Sequence, residues 1–211
     1  LGDVYKRQGH VGVYCDGPML MNESKLVCRA LDNRLSGFVL SEIARKLCKL
    51  KKPLAWNVML VNAVQEEVGC IGAGMITHRL RPDAAICIDV THATDSPGLD
   101  KGKFGDIKLG GGPAVIHGTA NHPNLVARLE IVADKNKIPL QHEAAGRRTG
   151  TDTDSIYVSR NGVASALVSL PLRYMHSPVE TAALTDVENT IKLLLELIKS
   201  LKPEDTFGHK L

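Results

Sequence analysis

The stretch Ala84-Ala-Ile-Cys-Ile-Asp-Val90 limits the choice of fold more than any other part of the chain. A short, continuous apolar run of this kind belongs to a central strand buried on both faces, in a sheet covered by helices. The elements around it alternate accordingly. Phe38, Leu40, Ile43, Leu47 and Leu50 give Ser36–Leu50 a helical period, which Pro53 ends. Leu54–Val64 alternates Leu54, Trp56, Val58 and Leu60 with Asn62 and Val64, and reads as a strand. Pro113–His117, Ile138–His142 and Ser165–Leu172 read as further strands, and Leu125–Lys137 as a helix. The last helix carries Val187, Ile191, Leu194, Leu195 and Ile198 on one stripe, with Thr185 and Glu188 at capping-box spacing. The expected fold is α/β: a three-layer α/β/α sandwich around a mixed, mostly parallel sheet.

Length and charge narrow the class. A chain of 211 residues suffices for one large α/β domain. With 26 basic against 23 acidic residues and 4% aromatics, it has no basic stripe suited to nucleic acid. The basic run Lys49–Lys52 reads as a solvated helix end. Cys15, Cys28, Cys48, Cys70 and Cys87 are odd in number and form no C-x-x-C pair. They fit a reducing, cytoplasmic setting better than a disulfide framework or a thiolate zinc site. No apolar stretch reaches the roughly 18 residues of a membrane span. Leu1–Gln8 shares no pattern with the residues after it and reads as artefactual sequence.

The chemistry-bearing residues lie where apolar runs end. Glu66 and Glu67 occupy a glycine-rich bend after the Leu54–Val64 run. Neighbouring strand residues point to opposite sides, so only a bend lets both acids reach one site. One acid that ligates a metal beside another that moves a proton is the chemistry this suggests. Asp89 ends the apolar run, and a buried carboxylate needs a partner. His176 follows the Ser165 strand, and Asp152 lies in a loop beyond the Ile138 strand. Ligands in open α/β sheets gather at carboxyl ends of strands. Carboxylates and imidazole without thiolates suit Zn²⁺, Co²⁺ or Mn²⁺.

Five segments carry a family resemblance: Ala30-Leu-Asp-Asn-Arg34, Val64-Gln-Glu-Glu-Val-Gly69, Asp89-Val-Thr-His-Ala-Thr-Asp-Ser-Pro-Gly98, Gly150-Thr-Asp152 and Arg173-Tyr-Met-His-Ser-Pro178. In this order they resemble the deblocking aminopeptidases, two-metal peptidases of hollow tetrahedral particles, often labelled endoglucanase M or glutamyl aminopeptidase. The match runs from about Gly9 to Leu201. The resemblance implies that Asp32 bridges two divalent ions, that Glu67 and His176 hold one, and that Asp89 holds the other. It makes Glu66 the general base. It further implies zinc, with cobalt or manganese as alternatives, peptide substrates cut behind the N-terminal residue, and a homo-oligomer, the family assembling as a dodecamer. The family also has a His-x-Asp motif ahead of a small inserted β domain, and no His-x-Asp precedes Asp32 here. The expectation is a C-terminal part of a longer enzyme, with residues 9–25 left from the inserted domain and 26–211 catalytic. Alone, such a chain is expected to bind at most one metal well and to hydrolyse peptides poorly.

Taken singly, the same residues have plainer readings. Adjacent glutamates are usually surface charge, and Asp32 could be a helix cap. His176 could be a satisfied core histidine. Asp152 and Asp154 could form turns, and Asp152 is kept as a residue orienting a ligand or substrate. His92 could line the pocket or hold a loop. His117, His122 and His142 show no ligand spacing and read as structural or solvent-facing. Gly110-Gly-Gly-Pro113 lacks the Lys-Ser/Thr of a phosphate loop and reads as a turn beside the pocket. Two other functions stay open: a related two-metal amidohydrolase or carboxypeptidase, and a non-catalytic subunit of the same fold. An endoglucanase would make no use of His176 and has few aromatic residues for stacking sugars.

Overall fold

The computed structural model describes residues 9–208, so the stretch 1–8 read as artefactual lies outside the described residues. In chain order the elements are β1 (Met19–Met21), β2 (Lys25–Val27), α1 (Leu31–Leu47), α2 (Ile71–Leu80), β3 (Ala84–His92), α3 (Lys101–Phe104), β4 (Ala114–Gly118), α4 (Pro123–Lys135), β5 (Gln141–Ala145), α5 (Thr153–Ile156), β6 (Ala164–Arg173), β7 (Thr181–Ala183) and α6 (Leu184–Ser200). No helix among them is long and apolar enough to cross a membrane.

One sheet is organised on β6, buried along its length up to Arg173. On one side β3 pairs with it in parallel, from Ala84↔Ala164 to His92↔Leu172. On the other side β4 and β7 meet it antiparallel. β5 joins β4 in parallel, and the β1–β2 hairpin extends the sheet through β7. The sheet is therefore mixed, its two longest ladders parallel and its shorter ones antiparallel.

Side chains alternate across a strand, so each strand feeds two cores. Ala166, Val168, Leu170 and Leu172 of β6 pack among Leu35 and Val39 of α1, Leu129 of α4 and Leu193 of α6. Leu167 of β6 and Cys87 of β3 face the opposite way, towards Ala73 of α2 and Ile156 of α5. The result is the expected three-layer sandwich. Each fully buried Leu, Ile or Val stabilises it by roughly 1.5–3 kcal/mol before entropy is counted.

Leu54–Val64 departs from the sequence reading. Leu54, Trp56 and Val58 are half-buried while Ala55, Asn57 and Met59 are exposed, the alternation of an extended chain. Yet the segment joins no strand among the described residues. A period of two reports extension, whereas a strand also requires a neighbouring edge to exchange hydrogen bonds with. Trp56 fixes this segment instead, donating through Nε1 to the Lys202 carbonyl at 2.9 Å and packing on Phe207 at 5.8 Å.

Helix α2 has no counterpart in the sequence reading, because Gly72 and Gly74 lower its intrinsic propensity. Gly72 is there for space: a Cβ would collide with the Val64 carbonyl. The capping box also fails to form. α6 begins at Leu184 with no side-chain cap, which puts Thr185 inside the first turn. The Leu184 N–H donates instead to the Ser24 carbonyl in the β1–β2 turn, at 3.0 Å. Gly110–Pro113 is a turn, its Gly110 and Gly112 N–H groups donating to Asp186 at 2.7 and 2.8 Å.

Candidate functional site

Three irregular segments aim side chains at one place. The first is the entry to α1, where Ala30 takes a left-handed conformation and Asp32 and Asn33 are non-helical. The second is the turn after Val64. Gln65 is left-handed, and four N–H groups close the turn: Gly69 and Cys70 on the Glu66 carbonyl, Ile71 on that of Gln65 and Gly72 on that of Val64. This knot supplies the bend that adjacent Glu66 and Glu67 require, although no strand precedes it. The third is the turn after β6, where Tyr174 and His176 have positive φ.

Glu180, which the sequence reading overlooked, ties the first segment to the third. Its side chain is almost wholly buried, at 2% exposure. One carboxylate oxygen accepts from the Asp32 N–H at 3.1 Å and the other from the His176 N–H at 2.8 Å. Asn33, also overlooked, donates through Nδ2 to Asp89 Oδ1 at 2.7 Å and to the Ile88 carbonyl at 3.2 Å. Each stands in or beside a motif, and that adjacency is the only sign of it in the sequence.

His176 Nε2 lies 3.0 Å from Asp32 Oδ2 and 3.7 Å from Glu67 Oε2. Donor atoms of these three residues all fall within 4.8 Å of one another. Asp89, on the Cys87 face of β3, sits beside this group without joining it. Its Oδ1 accepts from Asn33 and from the Val90 N–H at 2.9 Å. Asp152 precedes α5, and its Oδ1 is buried without a hydrogen-bond partner. His92 packs edge-on against Phe104 at 5.1 Å. Burial keeps this imidazole neutral to lower pH than usual, and His176 and Lys103 add to the effect.

The electrostatics are those of crowded acids. Burial and Glu67 raise Asp32, with His176 opposing. Burial raises Glu66, partly offset by a Cys70 Sγ contact at 3.5 Å. Asp89 is pushed up to about 7, chiefly by burial, against the pull of the Val90 N–H. Burial also raises Asp152. Among the described residues no Lys or Arg forms an ion pair with any of these acids. An adjacent divalent cation reverses each of these upward shifts. Oxygen and imidazole donors, an orphaned buried carboxylate oxygen and missing counter-charge together fit such an ion, and the lack of thiolates suits zinc, cobalt or manganese.

Residues 6–193 match the family described as M42 glutamyl aminopeptidase. The lysyl aminopeptidase of Pyrococcus furiosus is 38% identical over 199 residues, covering 94% of this chain and 56% of its own length. Among solved structures, a TET aminopeptidase from the marine sediment archaeon Thaumarchaeota archaeon SCGC AB-539-E09 superposes with a TM-score of 0.81 at 32% identity, over 89% of this chain and 53% of that one. The TET1 peptidase of Pyrococcus horikoshii, which can assemble into a tetrahedron or a large octahedral shell, gives 0.71 at 26% identity, over 90% and 54%. The chain thus spans about half the length of the relatives it matches. On the strength of the family match and the relatives' identity, the chain belongs to the M42 glutamyl aminopeptidase family.

Proposed function

We propose that this chain carries most of the catalytic site of a metal-dependent aminopeptidase that removes N-terminal residues from peptides. Asp32, Glu67 and His176 would hold one divalent ion, and Asp89, sharing Asp32, would hold a second. Zinc fits this donor set first, with cobalt or manganese as alternatives. What carries the reading is the convergence of Asp32, Glu67 and His176, with His176 Nε2 at 3.0 and 3.7 Å from the two acids and Glu66 next in sequence to one of them. When bound, the ions supply Lewis acidity to the scissile carbonyl and to the attacking water.

The remaining steps belong to the protein. Glu66 is half-buried and its pKa is raised by that burial, as suits a group that takes a proton from water and returns it to the leaving amine. Glu180 holds the backbones of two donors in fixed relation, and Asn33 fixes the rotation of Asp89. Asp152 and His92 would border the substrate. The assembly is proposed to be a homo-oligomer, as the tetrahedron or octahedral shell of the Pyrococcus horikoshii peptidase suggests, in the reducing, cytoplasmic setting that its free cysteines fit.

Asp89 belongs to no three-donor group among the described residues. At this site the 211-residue chain by itself is therefore expected to take up one zinc tightly and a second weakly, with little peptidase activity. Isothermal titration giving two equally tight sites, both lost in Asp32→Asn, would overturn this. In a chain of the relatives' full length, Glu66→Gln should retain zinc while kcat on a free-amine peptide falls roughly 10²–10⁴-fold. An unchanged kcat removes Glu66 from its role. Faster turnover of N-blocked or carboxyl-terminal substrates would instead indicate an amidohydrolase or carboxypeptidase.

A further inference from the structure

A second group of metal-ligating side chains lies apart from this site, on the β4–β5 edge of the sheet. In the parallel β4–β5 ladder Val115 is opposite His142 and His117 is opposite Ala144. The two histidines therefore stand diagonally on one face. Val115 of that face packs into the core with Leu125, Val126 and Leu129 of α4, so the face is the one α4 covers. From α4, Glu130 reaches back to both rings.

His117 Nε2 and His142 Nδ1 are 3.0 Å apart, and Glu130 Oε1 lies 3.7 and 3.6 Å from them. Four-coordinate zinc with bonds of about 2.0–2.1 Å sets its donors roughly 3.3 Å apart. The three atoms thus stand within a few tenths of an ångström of tetrahedral spacing. The ring planes are 27° apart, and with centroids 5.3 Å and nitrogens 3.0 Å apart the two nitrogens face each other. As it stands, one imidazole N–H must donate to the other ring to hold the 3.0 Å contact. A cation would replace that proton once the two rings, both about half exposed, turn to bring their lone pairs onto it.

A cleft of about 300 Å³ opens beside the group, lined by His117, Asn121, Pro123, Val126 and Glu130. It provides room for water or another exchangeable ligand to complete the coordination, the arrangement of an open site. The position is separate from the acidic site. β3, which carries Asp89, and β5, which carries His142, are separated by β6 and β4, a span of roughly 14 Å at normal strand spacing. β4 also runs antiparallel to β6, so His117 lies towards the end of the sheet away from His176.

We propose that His117, His142 and Glu130 form a second, independent site for a divalent transition-metal ion, with zinc, copper, nickel and cobalt as candidates for a donor set of two imidazoles and a carboxylate. An ion there would clamp the β4–β5 edge to α4 and stabilise the fold by linkage. This inference does not rest on the peptidase reading.

The test uses zinc alone as the probe, on the 211-residue chain carrying Asp32→Asn and His176→Gln to silence the acidic site. Titration should show one equivalent bound and a raised Tm. Adding His142→Gln should weaken zinc at least by the roughly 10–100-fold that loss of an outer-sphere partner alone costs. No binding by the silenced chain, or unchanged binding after His142→Gln, overturns the proposal. Should the silenced chain not fold, ¹⁵N NMR of the wild-type chain decides. Zinc must then shift His117 Nε2 and His142 Nδ1, and resonances that stay in place refute the site.

Discussion

The two faces of the sheet are built for different work. On one, α1, α4 and α6 enclose the larger cluster of buried Leu, Val and Ile, including Val39, Leu129 and Leu193 at full burial. On the other, α2 and α5 cover a small cluster that includes only Ala73 and Ile156 from those helices. There Val64, Val68, Ile71 and Met75 are exposed around the turn that carries Glu66 and Glu67. Stability is concentrated on the first face. Asp32, Glu66, Asp89 and Asp152, each with a raised pKa and, among the described residues, no Lys or Arg ion pair, gather where turns from both faces meet. A protein that must keep several carboxylates close together needs its folding energy somewhere else.

The contrast breaks first at Leu193. Leu193→Ala removes a fully buried side chain of α6 and should cost about 2–5 kcal/mol. Urea unfolding should reveal that loss, with zinc affinity per folded molecule unchanged. A large fall in affinity would mean that the two faces are not separable. Glu180→Ala should do the opposite. It removes the acceptor for the Asp32 and His176 N–H groups, leaving donors unpaired at about 1–3 kcal/mol each, partly relieved by no longer burying a charge. Its main effect should be a roughly 10–100-fold loss of zinc affinity at the acidic site. Glu180→Gln, which keeps an acceptor oxygen, should recover part of that loss.

Gly72→Ala sharpens the comparison at a single backbone contact. In an ordinary helix interior this change stabilises by up to about 1 kcal/mol. Here the new methyl meets the Val64 carbonyl, so destabilisation of about 1–3 kcal/mol is expected. The same shift should displace the Glu66–Glu67 turn and weaken zinc. A more stable variant with unaltered zinc binding would show that the close approach does not position the acids.

How far the sequence could be read obeys the same division. The first face was legible because its helices and strands express regular periods: the α6 stripe from Val187 to Leu194 and the continuous apolar run into Asp89 both lie where periodicity puts them. The second face was not. Its α2 contains glycines that mask a helix, and the Leu54–Val64 segment, which runs from the first face at Trp56 to the second at Ala63, alternates like a strand without pairing among the described residues. The roles of Asp32, Glu66, Glu67, Asp89 and His176 came from motif resemblance, since each alone has a commonplace reading. The structure brings Asp32, Glu67 and His176 into one group and sets Asp89 beside it. Glu180 stayed hidden because its function is to accept two backbone N–H groups from segments remote in sequence, a relation no local pattern encodes. His117 and His142 were hidden likewise, since their proximity depends on the register of two parallel strands.

The smallest expected effect concerns the pin at the end of β6. Arg173 donates through Nε and Nη2 to Asp95 at 3.0 and 2.8 Å, just ahead of the turn that presents His176. The guanidinium holds the Asp95 carboxyl below the usual carboxylate range, chiefly through that hydrogen bonding. A carboxyl with a depressed folded-state pKa contributes stability that is fully present above its unfolded value of about 3.9, and loses it as pH falls through the folded value. Both side chains are partly exposed, so solvent screening keeps the contribution under about 1 kcal/mol. Asp95→Asn should therefore lower stability slightly at pH 7, and the difference from wild type should shrink as pH is taken below 4. Urea midpoints at pH 7 and pH 3 measure it. A gap that widens on acidification would mean that Asp95 is held by something other than Arg173.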